Sequence, residues 1–324
     1  NLYDVEFILR GRGKVLDRVG SYFGMRKIET DEKGIRFNNA QFYQKLVLAQ
    51  NYWPETGLTM PDEEAGRKDI LLAKQAGFNG LRIHQKIEDE RFLFLCDTEG
   101  LLVWAEYPAT YEFNDRAISA IAAEWLEAVR QQYNHPCVIA WVPFNESWGI
   151  PNVYTDKLQQ RFTEGIYSLT KAFDPMRPVV CNDGWEHTCS DIVTVHDYDG
   201  CVERVNDRYK NDMKDILDNK IAPTNYRFVM AKGYEYQGQP IVVSEYGGFK
   251  LAGTEGWGYD GEAKDAEDLV RKYDEITSAY KKMEKVCGFC YTQLTDVYHE
   301  TNGLMSFDRT PKVPLKEIKK INER

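Results

Sequence analysis

The chain lacks features that would assign it to a membrane or to a nucleic acid. No run of about 18 apolar residues occurs, so we expect no transmembrane helix. The start, Asn1–Glu6, has neither the basic n-region nor the apolar h-region of a signal peptide, and we expect a cytoplasmic location. The net charge is −10 and no basic stripe is present, which argues against a nucleic-acid partner because phosphate affinity depends on clustered Lys and Arg. The sequence does not indicate an oligomeric state.

A recognisable disulfide or zinc framework is also lacking. The 7 cysteines are odd in number and scattered along the chain. Cys287 and Cys290 match the Cys-x-x-Cys spacing of redox and zinc sites, but their apolar run is typical of a strand, where residues three apart point to opposite faces. No second cysteine pair or nearby histidine completes a metal set. We therefore interpret the cysteines as structural, in a reducing compartment.

The first residues of the chain favour β-structure. Val5–Leu9 and Val15–Val19 are strand candidates around the turn Gly11–Lys14, and Arg26–Thr30 is a third. So short a β-segment cannot bury a core of its own. We expect residues 1–38 to be the last strands and the linker of a preceding β-domain whose remainder is absent, which makes the chain a fragment of a longer protein.

From about Lys45 onward, short apolar runs alternate with helical patterns at 61–75, 115–133 and 265–284. Eight such runs are present: Leu46–Ala49, Gly80–Ile83, Leu101–Trp104, Val138–Trp141, Pro178–Cys181, Ile192–Val195, Pro240–Val243 and Val286–Tyr291. Continuous apolar runs suit parallel strands buried on both faces. The pattern predicts an α/β fold, a (β/α)8 TIM barrel over residues 39–324. Between Cys181 and Asp191 there is no room for a crossover helix, so either that helix is lost or one of the predicted strands is misplaced, and we expect irregularity around the fifth βα unit.

Polar and aromatic residues follow nearly every apolar run. In a (β/α)8 barrel these positions meet at the C-terminal ends of the strands, where active sites form. Glu146 follows the fourth run and Glu245 the seventh, on opposite sides of the barrel mouth. Two such carboxylates suit glycoside hydrolysis, in which one is protonated to assist the leaving oxygen and the other is ionised to attack the sugar. Either glutamate alone is more simply a structural acid, but the two together favour a catalytic pair.

At these residues the chain resembles the C-terminal catalytic domain of glycoside hydrolase family 2, which includes β-galactosidases, β-glucuronidases and β-mannosidases. Five segments carry the resemblance: Trp141–Gly149, Pro240–Gly248, Ser21–Ile28, Arg91–Pro108 and Glu300–Lys312. It implies Glu146 as acid/base, Glu245 as nucleophile and Asn145 as the group that hydrogen-bonds the sugar 2-hydroxyl. It also implies that residues 1–38 are the end of an immunoglobulin-like β-sandwich.

The resemblance implies a retaining exo-β-glycosidase, β-galactosidase-like, acting on an oligosaccharide or glycoside through a covalent glycosyl-enzyme. Two departures from the family bear on the substrate. Arg82–Lys86 lacks the His-Tyr-Pro motif often present after the second strand, and no Asn-x-Lys motif of the kind that grips a glucuronate occurs around Asn302. Glucuronides are therefore disfavoured, while galactosides, glucosides and mannosides stay open.

Several further side chains are candidates for substrate binding, each with a structural role as its alternative. Arg82 is expected to hold Glu245 ionised through a charge-assisted bond. The other candidates are His84 and His196 for sugar hydroxyls, Tyr198 beside the nucleophile, and Trp148 and Trp185 for stacking on sugar rings.

Two other functions fit the same residues. One is a carbohydrate-binding barrel without turnover, because the upstream domains of the family are missing. The other is a metal-dependent barrel enzyme that uses His84, His196 and carboxylates. We expect no required cofactor; Mg²⁺ beside the acid/base is compatible with the resemblance, but no clear ligand set stands out and we assign no metal ligands.

Overall fold

A computed structural model describes residues 1–224 and 226–324. The chain begins with a two-stranded antiparallel ribbon of β1 (Leu2–Gly11) and β2 (Lys14–Gly24). Arg12 and Gly13 make the turn with φ of 49° and 75°. The predicted hairpin is therefore confirmed, although most of its side chains are exposed. The ribbon alone does not identify an immunoglobulin-like domain, and that assignment stays a prediction.

A small antiparallel sheet follows the ribbon and covers the N-terminal end of the barrel. It contains β3 (Ile28–Asp31), β4 (Gly34–Phe37) and β5 (Ala40–Gln41). Ile28 and Ile35 are buried in one apolar cluster with residues from the barrel interior. The third predicted strand pairs within this sheet and not with the ribbon, and the sheet extends across the domain boundary predicted at residue 38.

Seven parallel strands form one curled sheet in the order β10-β11-β14-β6-β7-β8-β9, and a short parallel pair, β12 with β13, lies beside it. In chain order these strands are β6 (Gln44–Ala49), β7 (Gly80–Ile83), β8 (Leu102–Glu106), β9 (Val138–Val142), β10 (Val193–Asp197), β11 (Ile241–Gly247), β12 (Lys250–Leu251), β13 (Glu262–Ala263) and β14 (Val286–Thr292). Every residue of β7, β9, β10 and β11 is buried, as expected for strands covered on both faces. Seven of the eight predicted strands are present.

The fifth predicted strand is wrong as a regular strand. The segment after Pro178 makes only isolated parallel bridges to the β9 side of the barrel, through Val179 and Asp183. On its other side, the amide of Val179 donates to the Asp191 carboxylate at 2.9 Å and the amide of Cys181 donates to Ser190 Oγ at 2.8 Å. Because these side chains take the amides that would have paired with β10, no ladder forms there. The predicted irregularity of the fifth unit is confirmed.

Eight helices complete the described part of the chain: α1 (Glu63–Gln75), α2 (Glu90–Glu99), α3 (Asp115–Gln132), α4 (Lys157–Phe173), α5 (Val202–Asn211), α6 (Met213–Leu217), α7 (Ala266–Lys281) and α8 (Leu315–Glu323). Asp or Asn side chains cap the N-termini of α1, α2, α3, α4 and α7 by accepting backbone N–H groups. The three helices predicted from the sequence correspond to α1, α3 and α7. Among the described residues, no helix has the length and apolar character needed to cross a membrane.

Candidate active site

The side chains at the C-terminal ends of the strands converge on Arg82, which is fully buried on β7. Its Nη1 donates to Glu245 Oε1 at 2.6 Å and its Nη2 to Asn145 Oδ1 at 2.7 Å. Nη2 also lies 2.7 Å from Glu106 Oε2, and Nε lies 2.6 Å from Asp183 Oδ2. Burial alone would lower the pKa of Arg82, but Asp183, Glu106 and Glu245 raise it well above the usual value. A permanent positive charge is therefore fixed at the centre of the site.

Glu245 is near the end of β11 and its carboxylate is almost sealed from solvent, with 4% of the side chain exposed. Arg82 binds one oxygen, and the Tyr198 hydroxyl donates to the other. Burial alone would raise the pKa of Glu245, but the charges of His196, Arg82 and His84 outweigh it and lower the pKa to about 2. Glu245 is therefore an ionised carboxylate at neutral pH.

Glu146 lies across the mouth from Glu245, in a turn with left-handed backbone. Its φ is 51° and that of Ser147 is 60°, a region that non-glycine residues occupy only where the surroundings enforce it. The irregular fifth segment supplies that enforcement: Glu146 N donates to Asp183 O at 2.9 Å, and Ser147 N donates to Asn182 Oδ1 at 3.0 Å. The Glu146 side chain is 26% exposed and is thus the more open of the two carboxylates.

His196, fully buried on β10, stands between the two glutamates. Its Nδ1 lies 2.7 Å from Glu146 Oε1 and 3.5 Å from Glu245 Oε2, and its Nε2 lies 3.7 Å from Asp183 Oδ1. Burial would lower the pKa of His196, but Glu245, Asp183 and Glu146 together raise it to about 10. One ring nitrogen of His196 and one oxygen from each glutamate all lie within 4.8 Å of one another. The two carboxylates therefore face each other across a short gap beside a cation.

This barrel, with two facing glutamates at its mouth, matches the family model for the TIM barrel domain of glycosyl hydrolases family 2 over residues 28–324. The chain belongs to this family.

Relatives and solved structures of family 2 enzymes agree with that assignment. The chain is 33% identical to a β-galactosidase of Vibrio cholerae over 180 residues, which cover 52% of the chain and 16% of that protein. It is 28% identical to a putative β-glucuronidase of Formosa agariphila over 202 residues, or 57% of the chain and 23% of that protein. A β-galacturonidase from Eisenbergiella tayi, crystallised with galacturonate, superposes with a TM-score of 0.79 at 22% identity.

The chain is shorter than these family 2 proteins. The superposition on the β-galacturonidase covers 99% of the chain but 58% of that structure. At 22% identity this likeness shows the fold and does not transfer the substrate.

Of the remaining predicted site residues in this family 2 barrel, His84 lies within the site. Its Nδ1 is 3.2 Å from Glu106 Oε1 and 3.9 Å from Glu245 Oε1. Burial would lower its pKa, but the charge of Glu106 raises it. His84 thus adds a third basic group beside Glu245.

The two predicted tryptophans lie in different surroundings. Trp185 is 7% exposed and makes an edge-to-face pair with His196 at 5.5 Å between ring centroids, so little of its surface is accessible. Trp148 is 45% exposed and makes an edge-to-face pair with Tyr111. A stacking role stays a prediction for both.

The structure adds residues that the sequence did not select as site residues. Together with the residues above they form the polar cup, defined here as Gln50, Arg82, His84, Glu106, Asn145, Glu146, Asp183, Trp185, His196, Tyr198, Glu245, Tyr259, Gln293, Glu300 and Asn302. Glu106 and Asp183 come two residues after the ends of apolar runs, which could have marked them. Tyr259, which stacks on Tyr198 with ring centroids 3.7 Å apart, and Glu300 lie in loops that carry no such signal.

Two groups of side chains in the described part of the chain have the proximity of metal ligands: Asp97 with His135 and Cys137, and Glu146 with His196 and Glu245. Mg²⁺ prefers six oxygen ligands and retains several waters. The first group is closed and contains a thiol, and its Asp97 already accepts bonds from Tyr22 and Cys137 N. The second offers two carboxylates and an imidazole nitrogen, which is not an oxygen ligand. Neither donor set fits Mg²⁺.

Proposed function

We propose that this chain is the catalytic barrel of a retaining exo-β-glycosidase, β-galactosidase-like, that hydrolyses terminal β-linked sugars. The observation that carries the proposal is the separation of less than 4.8 Å between one carboxylate oxygen of Glu146 and one of Glu245. Retaining glycosidases hold their carboxyl groups about 5–5.5 Å apart, whereas inverting enzymes need roughly 6.5–9.5 Å to admit a water molecule between sugar and base. The short gap favours direct attack by one carboxylate.

The electrostatics of the site support Glu245 as the nucleophile. Its lowered pKa of about 2 keeps the carboxylate ionised, and the hydrogen bonds from Arg82 and Tyr198 orient its oxygens. In the first step a Glu245 oxygen forms a bond to the anomeric carbon as the glycosidic bond breaks, and Glu146 donates its proton to the leaving oxygen.

Glu146 then acts in the reverse sense. It accepts a proton from water as the water oxygen attacks the anomeric carbon and displaces the Glu245 carboxylate, which releases the sugar with its original anomeric configuration. The greater exposure of Glu146 suits this role, because the leaving group must depart and water must enter on its side.

Asn145 is placed to recognise the sugar. Its Oδ1 accepts a hydrogen bond from Arg82 Nη2 at 2.7 Å, which fixes the orientation of the amide. The Nδ2 group can then donate to the 2-hydroxyl of a sugar bound between the two glutamates. Hydrogen bonds to that hydroxyl strengthen in the transition state and contribute several kcal/mol in this class of enzyme.

Covalent trapping tests the proposal. A 2-fluoro β-glycoside with a good aryl leaving group should label the chain stoichiometrically, and digestion with mass spectrometry should place the label on Glu245. Glu245→Gln is the matched control and should stay unlabelled. A chain that hydrolyses the parent glycoside but carries the label on another residue, or none, would contradict the proposed roles.

A second function, a carbohydrate-binding barrel without turnover, is favoured by one observation: the chain covers 58% or less of the family proteins compared above. It predicts sugar binding in calorimetry without release of any aryl group. Release of the aryl group by the wild-type chain, abolished in Glu245→Gln, would exclude it.

A further inference from the structure

We infer that the polar cup accepts a neutral sugar and rejects a uronic acid, and that Glu300 is the residue that determines this specificity. The inference rests on the proposed function and deepens it by naming the class of sugar. It concerns a residue outside the catalytic pair, and it sets this chain apart from the β-galacturonidase whose fold it shares.

Glu300 is tied to the ends of two barrel strands. Its Oε2 accepts a hydrogen bond from Gln50 Nε2 at 2.9 Å, and the same Nε2 lies 3.0 Å from Gln293 Oε1. Gln50 directly follows β6 and Gln293 directly follows β14. Next to Gln293, Thr292 Oγ1 accepts from the Tyr198 hydroxyl at 3.2 Å, so the network continues to the hydroxyl that binds Glu245.

A second path places Glu300 on the side of the cup next to Glu245. Asn302 Nδ2 donates to Glu300 Oε1 at 3.3 Å, and a Cβ on Gly248 would come within 3.3 Å of that nitrogen and 2.7 Å of the Tyr259 ring. Gly248 is three residues beyond Glu245 and has a φ of 66°. Asn302 and Tyr259 therefore both lie against the turn that follows the nucleophile.

The electrostatic environment agrees with this position. After burial, the charges of Glu245 and Glu300 both raise the pKa of Tyr259, and Glu146 adds to the effect. The charge of His84 in turn opposes the rise that burial causes in the pKa of Glu300. The charges of Glu300 and of the catalytic pair thus act on the same tyrosine hydroxyl, in agreement with the position that the hydrogen bonds give Glu300.

A sugar carboxylate needs a cation that is not already committed. In residues 1–224 and 226–324, the basic side chains with a hydrogen bond, ion pair or ring contact to a cup residue each have a carboxylate partner: Arg82 with Glu245, His84 with Glu106, His196 with Glu146, and Arg227 with Glu186. A uronate bound in the cup would find these cations neutralised and would add its own charge beside Glu300.

A neutral sugar meets the opposite situation. The Glu300 carboxylate can accept hydrogen bonds from hydroxyl groups, and Gln50, Gln293 and Asn302 hold it in place for that purpose. Sites built to bind hydroxyls reject analogues that leave their polar groups unpaired more strongly than apolar pockets reject a change in size. Discrimination between a hexoside and the matching uronide should therefore be large.

The test compares matched aryl glycosides above neutral pH: β-galactoside with β-galacturonide, and β-glucoside with β-glucuronide. We expect kcat/KM of the wild-type chain for the better hexoside to exceed that for its uronide by at least about 100-fold. Glu300→Gln should narrow this ratio by about tenfold or more, mainly by losing activity on the hexoside.

Glu127→Gln, on the exposed outer face of α3, is the control and should leave the ratio unchanged. A uronide cleaved as well as its hexoside, or an unchanged ratio in Glu300→Gln with a native melting temperature, overturns the inference.

Binding separates this inference from the proposed function. Calorimetry with isofagomine and uronic isofagomine needs no turnover, and we expect the neutral inhibitor to bind at least tenfold more tightly. If no glycoside is cleaved, the proposed function fails, and this comparison still decides the inference. Tighter or equal binding of the uronic inhibitor, or binding of neither, overturns it.

Discussion

Arg82 Nη1 lies 2.6 Å from Glu245 Oε1, and solvent reaches 0% of one side chain and 4% of the other. A buried ion pair of this kind is stable only when the remaining donors and acceptors are also satisfied. Arg82 also donates to Asn145 Oδ1, and its guanidinium lies within 2.7 Å of carboxylate oxygens of Glu106 and Asp183, so its buried charge is compensated by several neighbours. The guanidinium is therefore both the structural centre of the barrel mouth and the counter-ion of the proposed nucleophile.

Replacing Arg82 by Met should be strongly destabilising. The substitution removes the guanidinium that Glu106, Asp183 and Glu245 all contact, and breaking a buried pair in this way costs about 3–5 kcal/mol. Urea unfolding monitored by tryptophan fluorescence measures the change in the free energy of unfolding. Arg271→Met is the control: Arg271 is 57% exposed and pairs with Asp268 and Glu275 on the surface, so we expect a loss below about 1 kcal/mol. Equal losses of unfolding free energy in the two variants would mean that the buried network contributes no more to stability than a surface ion pair.

Azide should restore activity to Glu146→Ala. Loss of general acid/base catalysis should reduce turnover of an ordinary glycoside by about 10²–10⁴-fold. With an activated aryl glycoside the leaving group needs no proton, so the glycosyl-enzyme forms and a nucleophile that needs no base can release it. Turnover should rise with azide concentration and give a β-glycosyl azide, identified by mass spectrometry and NMR. Azide should not restore turnover to Glu245→Gln, and this variant should give no β-glycosyl azide. If azide restored turnover to Glu245→Gln and not to Glu146→Ala, the roles of the two glutamates would be reversed.

The charge on His196 should make the fold less stable at high pH. Its pKa in the folded chain is raised to about 10 from 6.5 by Glu245, Asp183 and Glu146, so its contribution is complete below pH 6.5 and is lost as pH rises towards 10. In His196→Gln this loss is absent. We therefore expect the free energy of unfolding to fall more steeply between pH 6.5 and 10 in the wild-type chain than in the variant, as measured by urea unfolding. Parallel pH profiles would show that His196 is not a cation in the folded chain.

Glu245 should act in the opposite direction at low pH. Its pKa in the folded chain is lowered to about 2 from 4.5, chiefly by His196 and Arg82 against the effect of burial. Its contribution to stability is present above pH 4.5 and is lost as pH falls towards 2. Glu245→Gln should therefore flatten the acid side of the stability profile, and because Glu245 is the largest charge that raises the pKa of His196, it should also reduce the loss of stability on the alkaline side. If the free energy of unfolding of the variant fell with decreasing pH as in the wild-type chain, a group other than Glu245 would be responsible for the acid sensitivity.

The sequence predicted the regular part of this fold well because the physical signal there is local. Continuous apolar runs marked β6 to β11 and β14, and helical patterns marked α1, α3 and α7. The fifth strand could not be excluded in the same way: Pro178–Cys181 is as apolar as its neighbours. What prevents a ladder there is the capture of two of its amides by Ser190 and Asp191, a contact decided by the shortness of the following loop.

The same contrast separates the predicted from the unpredicted site residues. Glu146 and Glu245 come within five residues of the ends of apolar runs, so barrel topology brings them to one mouth. Tyr259 lies between β12 and β13 and Glu300 lies in the loop after β14, and their positions depend on stacking with Tyr198 and on the network through Gln50. Such contacts form between segments distant in sequence, and no spacing rule anticipates them.

Trp148 and Tyr111 should bind the leaving group of a disaccharide substrate. Their rings meet edge to face with centroids 5.6 Å apart and remain 45% and 79% exposed, a solvent-facing aromatic pair. Trp148 N donates to Asn145 O at 2.9 Å, which holds this tryptophan in the turn of Glu146, on the side from which the leaving group departs.

Trp148→Ala should therefore raise KM for a disaccharide by about fivefold, since one aromatic contact to a ring contributes roughly 1 kcal/mol. Its effect on kcat should be small. A methyl glycoside of the same sugar has no second ring and serves as the internal control, because its KM should change little in the variant. Steady-state kinetics on both substrates measures the difference. A loss that is equal for disaccharide and methyl glycoside would place Trp148 in support of the Glu146 turn, whereas a selective loss assigns it to the leaving-group ring.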